Sequence, residues 1–278
     1  MAAIDLDAYF RRIGYEGGRA PTLETLRALH RLHPQAIPFE NLDPLLGRPV
    51  KLDPASLERK LVREGRGGYC YEQNLLFREV LQAIGFPVTG LAARVLWNVP
   101  EGVVMPRTHM LLLVDVDEVT HVADVGFGGQ TLTGPLRLAP DVEQATPHEP
   151  FRLVRSGEQF VLQSKIRESW VSLYRFDLQD QIQPDYEVYN WYVSTHPQSI
   201  FVNSLLAGRA APGRRYTLLN NQLSVHHLNG GADKGVLATV AEIREALQTE
   251  FRLTLPDAPE LDAVLERLTL GPSSNFDG

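Results

Sequence analysis

Apolar side chains recur at helical spacing through most of the first 85 residues. Thr22 is of a residue type that caps helices, and the leucines after it fall at every third position: Leu23, Leu26, Leu29 and Leu32. Asp53 followed by Pro54 is typical of a helix start, and the helix predicted there meets a terminator at Gly65. The pattern therefore predicts that the first part of the chain is helical.

A further helix is predicted from about Tyr69 and Cys70 to Gly85. Apolar residues along it could form one buried face, and Gly85 is the residue type that ends helices in a left-handed conformation. Those apolar residues are Leu75, Leu76, Val80, Leu81 and Ile84. This prediction places Cys70 at a helix N-terminus.

Short extended runs replace the helical pattern from residue 86 to about residue 189. Turn residues separate the runs, and several alternate in polarity, which favours an antiparallel sheet or a small barrel. The predicted strands are 90–97, 109–116, 119–125, 151–154, 160–165 and 170–176. After Asn190 comes a polar stretch, and the elements predicted beyond it are strands 215–219 and 222–227 and helices 240–251 and 259–268.

Composition narrows the classes of protein to consider. The chain has 278 residues, of which 44% are hydrophobic, and a formal net charge of −7, so a folded protein is expected and a polyanionic partner such as nucleic acid is not. One cysteine excludes an intramolecular disulfide and a cysteine-based zinc cluster. No apolar run reaches the ~18 residues of a membrane span, and the first residues do not resemble a signal peptide. We therefore expect a cytoplasmic location.

The single cysteine lies in the segment GRGGYCYEQN. The partial positive charge of a helix N-terminus stabilises a thiolate, Arg66 adds a cation, and the glycines Gly67 and Gly68 would let the backbone pass close to a bound acyl group. The alternative interpretation is a buried structural cysteine. The flanking glycines and aromatic residues favour a nucleophile.

A cysteine nucleophile needs a base, usually histidine, and the base needs an orienting group. Among the eight histidines, His30 and His33 fall on the helix after Thr22 and are interpreted as solvated or helix-end residues. His109 and His121 instead lie on predicted strands. Their positions along the predicted hairpin decide which of these two histidines could act as the base.

Residues 116–119 are interpreted as the tip of a hairpin. If Val116 pairs with Val119, His109 shares a face with Leu111, whose partner is Asp124, while His121 lies on the opposite face. Asp124 is then a diagonal neighbour of His109, close enough for a carboxylate–imidazole hydrogen bond. A tip one residue longer would break this parity.

Three motifs together resemble the arylamine N-acetyltransferase family: RGGYC with Cys70, THMLLLV with His109, and VADVGFGG with Asp124. The resemblance covers essentially the whole chain and includes the segments AYFRRIGYEG, IPFENLD, IGF and STHPQSIFVNSL. It implies an α+β fold with a papain- or transglutaminase-like Cys-His-Asp core. The implied domains are a helical bundle at 1–85, an antiparallel β-barrel at 86–190 and an α/β lid at 191–278.

The resemblance implies transfer of an acetyl group from acetyl-CoA to arylamines and arylhydrazines, and to N-hydroxyarylamines by O-acetylation. Cys70 would form an acetyl thioester and supply an oxyanion-hole N–H, His109 would carry the proton, and Asp124 would orient the imidazole. The reaction implied is ping-pong, with acetyl-CoA as the acyl-donor co-substrate and no metal.

Further residues are implied by family position. The candidates for CoA contacts are Trp97, Thr108, Gly126, Gly128 and Gly129. Those for the acceptor pocket are Phe39, Tyr71, Phe127 and Phe201. Arg12, Glu40 and Arg66 would form a buried ion cluster with a structural role. The alternative interpretation of the aromatic residues is that they belong to the core. The alternative interpretation of the glycine-rich loop is a tight turn at the end of a strand. Arg209, Arg214 and Arg215 could meet CoA phosphates, although we favour a solvated loop for them.

Two rival functions remain open at this point. One is a cysteine amidase or peptidase, or a transglutaminase-like acyltransferase, with the same three residues. The other is a ligand carrier without catalysis, which a stoichiometric acetyl label on Cys70 would exclude.

Overall fold

A computed structural model describes residues 4–100, 102–228 and 230–269. The ends of the first and third predicted domains lie outside these residues. The helices of the first part are α1 (Leu6–Ile13), α2 (Leu23–Ala36), α3 (Leu42–Leu45), α4 (Pro54–Leu57) and α5 (Cys70–Ile84). Those of the later part are α6 (Gln183–Thr195), α7 (Ile200–Asn203), α8 (Val240–Thr249) and α9 (Leu261–Thr269).

Local signals set the helix ends in the first part of the chain. The side chains of Thr22 and Asp53 accept hydrogen bonds from backbone N–H groups of the first turns of α2 and α4, as predicted. A π-helical turn, Glu58–Arg63, extends α4. Gly85 ends α5 in the left-handed conformation, at φ 105°. The predicted start of α5 at Cys70 is confirmed.

Seven strands form an antiparallel sheet in the order β5-β4-β3-β2-β8-β7-β6. Their bounds are β2 (Val88–Val95), β3 (Arg107–Val116), β4 (Val119–Ala123), β5 (Leu136–Arg137), β6 (Phe151–Ser156), β7 (Gln159–Ile166) and β8 (Ser169–Phe176). Isolated bridges from the segment after β5, Pro140 to Leu153 and Gln144 to Phe151, nearly close the sheet into a barrel. Val116 pairs with Val119, so the predicted hairpin register is confirmed.

A second antiparallel sheet has the order β1-β9-β10-β11-β12. Its strands are β1 (Phe39–Glu40), β9 (Leu206–Ala211), β10 (Arg214–Leu219), β11 (Gln222–His227) and β12 (Ala232–Val236). Tyr216 and Leu218 pack against Ile243, Leu247 and Phe251 in one apolar cluster, so α8 covers one face of this sheet. A second cluster lies between the barrel and the helices α1, α2, α4, α5 and α6, and a third fills the barrel.

The structure differs from the sequence prediction after residue 182. Helix α6 replaces the expected polar stretch, because its buried positions include the polar Asn190 and Ser194 while Val188 and Trp191 are exposed. Strand β9 consists largely of alanine and glycine, residues with low strand propensity.

Two further findings concern the predicted organisation of the chain. The division into domains 1–85, 86–190 and 191–278 stays a prediction, and α6 runs through its second boundary. Within the described residues, no helix combines the length and the apolar character that crossing a membrane requires.

Candidate active site

Cys70 is the first residue of α5 and is almost completely buried, with 3% of its surface exposed. Its Sγ lies 3.6 Å from the carbonyl oxygen of Thr108 on β3. As the first helical residue, Cys70 has a backbone N–H with no partner inside the helix. The thiol therefore lies where the helix N-terminus meets the barrel.

The residues before Cys70 are packed closely against neighbouring groups, and one of them, Arg66, is paired with carboxylates. A Cβ on Gly67 would come within 2.1 Å of the Pro38 carbonyl oxygen, and one on Gly68 within 2.7 Å of the Glu72 carboxylate. Arg66 binds Glu40 and Asp43 at 2.7 and 3.1 Å. Its charge is thus balanced by carboxylates and does not act as the expected cation for the thiol.

His109 and Asp124 are in direct contact, as the hairpin register predicts. Nε2 of His109 lies 2.7 Å from Oδ2 of Asp124, and both side chains are buried, at 2% and 0% exposure. Because a carboxylate is an acceptor, Nε2 carries a proton and Nδ1 is left to face the thiol. His121 lies opposite Val114 on the other face of the sheet and bonds the carbonyl oxygen of Val119.

Four groups donate hydrogen bonds to the Asp124 carboxylate. Oδ1 accepts from the Asn74 amide at 3.0 Å and from the Gly126 N–H at 2.9 Å. Oδ2 accepts from the Tyr174 hydroxyl at 2.9 Å, besides His109. Burial raises the pKa of Asp124, but the charge and hydrogen bond of His109 and the bonds from Asn74 and Gly126 outweigh it and lower this pKa below its usual value. Asp124 is therefore an anion in a buried site.

The ionised Asp124 changes the protonation of His109 in turn. Burial alone lowers the pKa of His109, but the charge of Asp124, the hydrogen bond to it and the contact with Cys70 raise this pKa to about 10. At neutral pH the ring is an imidazolium beside a thiol at a helix N-terminus. This arrangement favours a thiolate–imidazolium pair, which is the reactive form of a cysteine nucleophile.

The glycine-rich loop after Asp124 packs closely on two elements. A Cβ on Gly126 would lie 2.8 Å from the Asn74 amide nitrogen and 2.9 Å from Cα of Cys70. Gly128 faces the ring of Phe39, and a Cβ on Gly129 would lie 2.5 Å from the methyl group of Thr217. The loop is thus fitted between α5 and the five-stranded sheet, and Trp97 packs against the barrel cluster at its side.

Aromatic rings surround the thiol and the imidazole. The ring of Phe127 lies 5.0 Å from that of His109, and Phe39 and Phe201 lie 6.0 Å apart. Phe201 also lies 5.4 Å from Tyr69, the residue before the cysteine. Tyr71 is completely buried, and its hydroxyl has no hydrogen-bond partner in the described residues. Tyr71, Phe39 and Phe201 thus share an apolar cluster with Cys70, and Phe127 contacts His109, while their role as an acceptor pocket stays a prediction.

The buried ion cluster has a different membership from the one expected. Arg12 donates to the carbonyl oxygens of Leu61 and Arg66, at 3.0 and 3.4 Å, and does not bond Glu40. Lys60 instead bridges Asp43 and Glu72, at 2.6 Å to each. Burial raises the pKa of Glu72, Lys60 opposes this, and the nearby carboxylates add to it, which leaves the pKa at about 7.

Two further expectations about charged residues and histidines are corrected. His30 and His33 are fully buried rather than solvated: His30 accepts a hydrogen bond from the backbone N–H of Asp124 at 3.0 Å, and His33 bonds Tyr9 and Gln73. Arg209 and Arg215 lie buried in strands β9 and β10 and not in a solvated loop.

Sequence reasoning missed two donors to Asp124. Asn74 follows Cys70 by four residues, one helical turn, and this spacing could have placed it on the face that carries the thiol. Tyr174 reaches the site from β8, fifty residues after Asp124, and the local sequence carries no signal for it. In the described residues no group of three or more histidine, cysteine or acidic side chains could hold a metal ion.

Comparison with known proteins gives consistent matches over most of the chain. A family model described as N-acetyltransferase matches residues 22–260. An arylamine N-acetyltransferase of Escherichia coli is 47% identical over 255 residues, covering 91% of this chain and 90% of that protein.

Two more similar proteins have names or titles that mention a second activity and a bound ligand. A Salmonella typhimurium protein named arylamine N-acetyltransferase / N-hydroxyarylamine O-acetyltransferase is 42% identical, covering 97% of this chain and 98% of that one. The structure of Mycobacterium marinum arylamine N-acetyltransferase in complex with CoA aligns with a TM-score of 0.92 and 40% identity, covering 95% of this chain and 99% of that one.

Proposed function

This chain belongs to the arylamine N-acetyltransferase family, and we propose that it acts through an acetyl thioester on Cys70. It transfers the acetyl group of acetyl-CoA to arylamines and arylhydrazines and O-acetylates N-hydroxyarylamines, in keeping with the activities and the CoA complex of its relatives. The observation that carries the proposed mechanism is the buried His109–Asp124 pair, 2.7 Å apart, beside the thiol.

In the first half-reaction, the Cys70 thiolate attacks the thioester carbonyl of acetyl-CoA. The new C–S bond to Cys70 forms as the bond to the CoA sulfur breaks, and the His109 imidazolium gives its proton to the departing CoA thiolate. The backbone N–H of Cys70, free at the helix start, donates to the oxyanion of the tetrahedral intermediate. Asp124 stays ionised throughout and holds the ring in the tautomer that presents Nδ1 to the sulfur.

In the second half-reaction, the amine attacks the acetyl–Cys70 carbonyl. His109, now neutral, takes the proton that the amine loses, and the C–S bond breaks to restore the thiolate–imidazolium pair. CoA must leave before the acceptor enters, because one sulfur receives the acetyl group from the first substrate and gives it up to the second. This order predicts ping-pong kinetics.

The thioester must also survive until the acceptor arrives. Cys70 is 3% exposed, Phe39 and Phe201 pack in its apolar cluster, and Phe127 contacts His109, so the apolar surroundings limit the access of water. We assign these rings and Tyr71 to the acceptor pocket, where the unpartnered Tyr71 hydroxyl is free to bond an acceptor.

We assign the CoA contacts to the loop of Gly126, Gly128 and Gly129 together with Thr108 and Trp97. The carbonyl oxygen of Thr108 lies 3.6 Å from Sγ. The absence of a disulfide and the chain's single cysteine support a cytoplasmic location.

The test is a panel of acceptors with acetyl-CoA. Anilines, aminosalicylates and hydrazines should be acetylated, with CoA released in equal amount. The matched control is Cys70→Ala, which should fold and show no transfer. Hydrolysis of peptide amides by the wild type, without turnover of acetyl-CoA, would instead identify the amidase of the rival interpretation.

A further inference from the structure

A basic cavity of about 340 Å³ lies at the end of strands β9 and β10, away from the cysteine. Three arginines, Arg209, Arg214 and Arg252, line it with Tyr216 and Gln35. Three cations around one small cavity repel one another unless an anion lies among them. The question is therefore what balances their charge.

Arg209 is the inner residue of the cavity and is 6% exposed. Its guanidinium donates to the carbonyl oxygens of Glu250 and Gln35 and lies over the Tyr216 ring, 4.9 Å from the centroid. Burial lowers the pKa of Arg209 and the charges of Arg252 and Arg214 lower it further, while Tyr216 and the carboxylate of Glu250 oppose this without reversing it. Among the described residues, no carboxylate lies within 4.0 Å of Arg209, so this buried cation has no direct ion-pair partner.

Arg214 and Arg252 lie at the mouth of the cavity and are exposed. The guanidinium of Arg214 lies 5.8 Å from the Tyr216 centroid. Arg252 has φ 57°, a left-handed conformation that favours glycine at the end of a helix. Neither arginine has a carboxylate partner within 4.0 Å in the part of the chain that the structure describes.

The cavity is separate from the site of acetyl transfer. Thr217 and Gly208 contact Gly129, so their face of the five-stranded sheet meets the glycine-rich loop. Tyr216, which pairs with Arg209, belongs to the opposite face, which α8 covers. The sheet itself thus stands between the cavity and Cys70.

We propose that this cavity binds a phosphate group, either as inorganic phosphate or as a phosphomonoester, at a site distinct from the one that takes acetyl-CoA for reaction. Guanidinium groups bind phosphate oxygens by paired N–H donors, and Arg209 is held ready by its two carbonyl contacts. The Tyr216 ring gives the cavity an apolar wall. A dianion there balances the buried charge.

The experiment titrates inorganic phosphate into the full-length enzyme at constant ionic strength, with calorimetry as the readout. Arg252→Gly removes one cation and replaces it with the residue that its backbone conformation favours, so the variant should fold at least as stably as the wild type. Phosphate binding should weaken about tenfold, as expected for one charge-assisted contact. Arg214→Gln should weaken binding to a similar extent.

The matched control is Arg155→Gln, which removes an exposed arginine of β6 and should leave the affinity unchanged. Equal affinity in the wild type and Arg252→Gly, or no binding by the wild type, would overturn the proposal. A competition with CoA distinguishes the source of the phosphate: the proposal requires phosphate and CoA to bind together, and displacement of phosphate by one equivalent of CoA would contradict it. Acetyl transfer by Arg252→Gly without phosphate should equal that of the wild type.

Discussion

Asp124→Asn keeps the shape of the side chain and removes its charge. In the wild type, two donors bond each carboxylate oxygen: Asn74 and Gly126 on Oδ1, and His109 and Tyr174 on Oδ2. Asparagine offers one oxygen and one NH2 group, so two of these four donors lose an acceptor. The amide oxygen can keep Asn74 and Gly126, which leaves its NH2 group facing His109 and Tyr174.

The consequences for the two facing groups differ. The Tyr174 hydroxyl can turn and accept a hydrogen bond, but His109 can accept at Nε2 only if its proton moves to Nδ1, the nitrogen that faces Cys70. The ring then cannot take a proton from the thiol. In a serine protease the same change lowers turnover about 10⁴-fold. We expect a loss of about 10³–10⁴-fold here, with a loss of about 2–3 kcal/mol in stability for the charge-assisted hydrogen bond.

The assay is rapid mixing with acetyl-CoA and detection of released CoA, with a thermal melt of each protein as a check on folding. Tyr174→Phe is the matched control, because it removes one donor to Asp124 and keeps the ring contact with His109. That variant should lose no more than about tenfold in the rate of CoA release. Asp124→Asn with a rate within tenfold of the wild type would refute the role given to the carboxylate.

Four more predictions rest on single contacts. Iodoacetamide should alkylate Cys70 faster than glutathione at pH ~6, where an ordinary thiol of pKa ~8.5 is protonated; an equal rate would contradict the ion pair. His121→Gln should keep steady-state activity within a few-fold, since its ring lies on the far face of the sheet, and a large loss would contradict this. For Glu72, the folded pKa of about 7 lies above that of an ordinary carboxyl, so its contribution to stability is full below pH ~4.5 and is lost as the pH rises through about 7. The melting temperature of Glu72→Gln, measured relative to that of the wild type, should therefore rise between pH 5 and pH 8. A difference that stays constant with pH would contradict the raised pKa. Gly126→Ala should lower both the melting temperature and the rate of CoA release, because its Cβ would lie 2.9 Å from Cα of Cys70; an unchanged protein would show that the loop can move aside.

The parts of the site that could be predicted from sequence are those set by local rules. A two-residue hairpin tip fixes the register of β3 and β4, and that register alone brings Asp124 to His109. The capping signals at Asp53 and Gly85 likewise bound the helices around Cys70. Each of these predictions depends on residues close together in the chain.

The parts that could not be predicted depend on contacts between distant segments. Tyr174 reaches Asp124 from another strand of the barrel, and Lys60 joins Asp43 to Glu72 across the helical part. Helix α6 was missed because its buried side carries the polar residue Asn190. The Asn190 side chain accepts a hydrogen bond from the Tyr69 hydroxyl and donates one to the Val50 carbonyl oxygen. A polar residue that is buried with its hydrogen bonds satisfied breaks the rule that the buried face of a helix is apolar, and sequence prediction depends on that rule.

The central claim is that Cys70 carries the acetyl group between donor and acceptor. Mass spectrometry of the enzyme mixed with acetyl-CoA alone should find the mass of one acetyl group added to the peptide that contains Cys70, with one equivalent of CoA released in a burst. Addition of an arylamine should then remove the label and yield the acetylated amine. An enzyme that turns over both substrates with no label on Cys70 at any time would contradict the account, because transfer would then be direct.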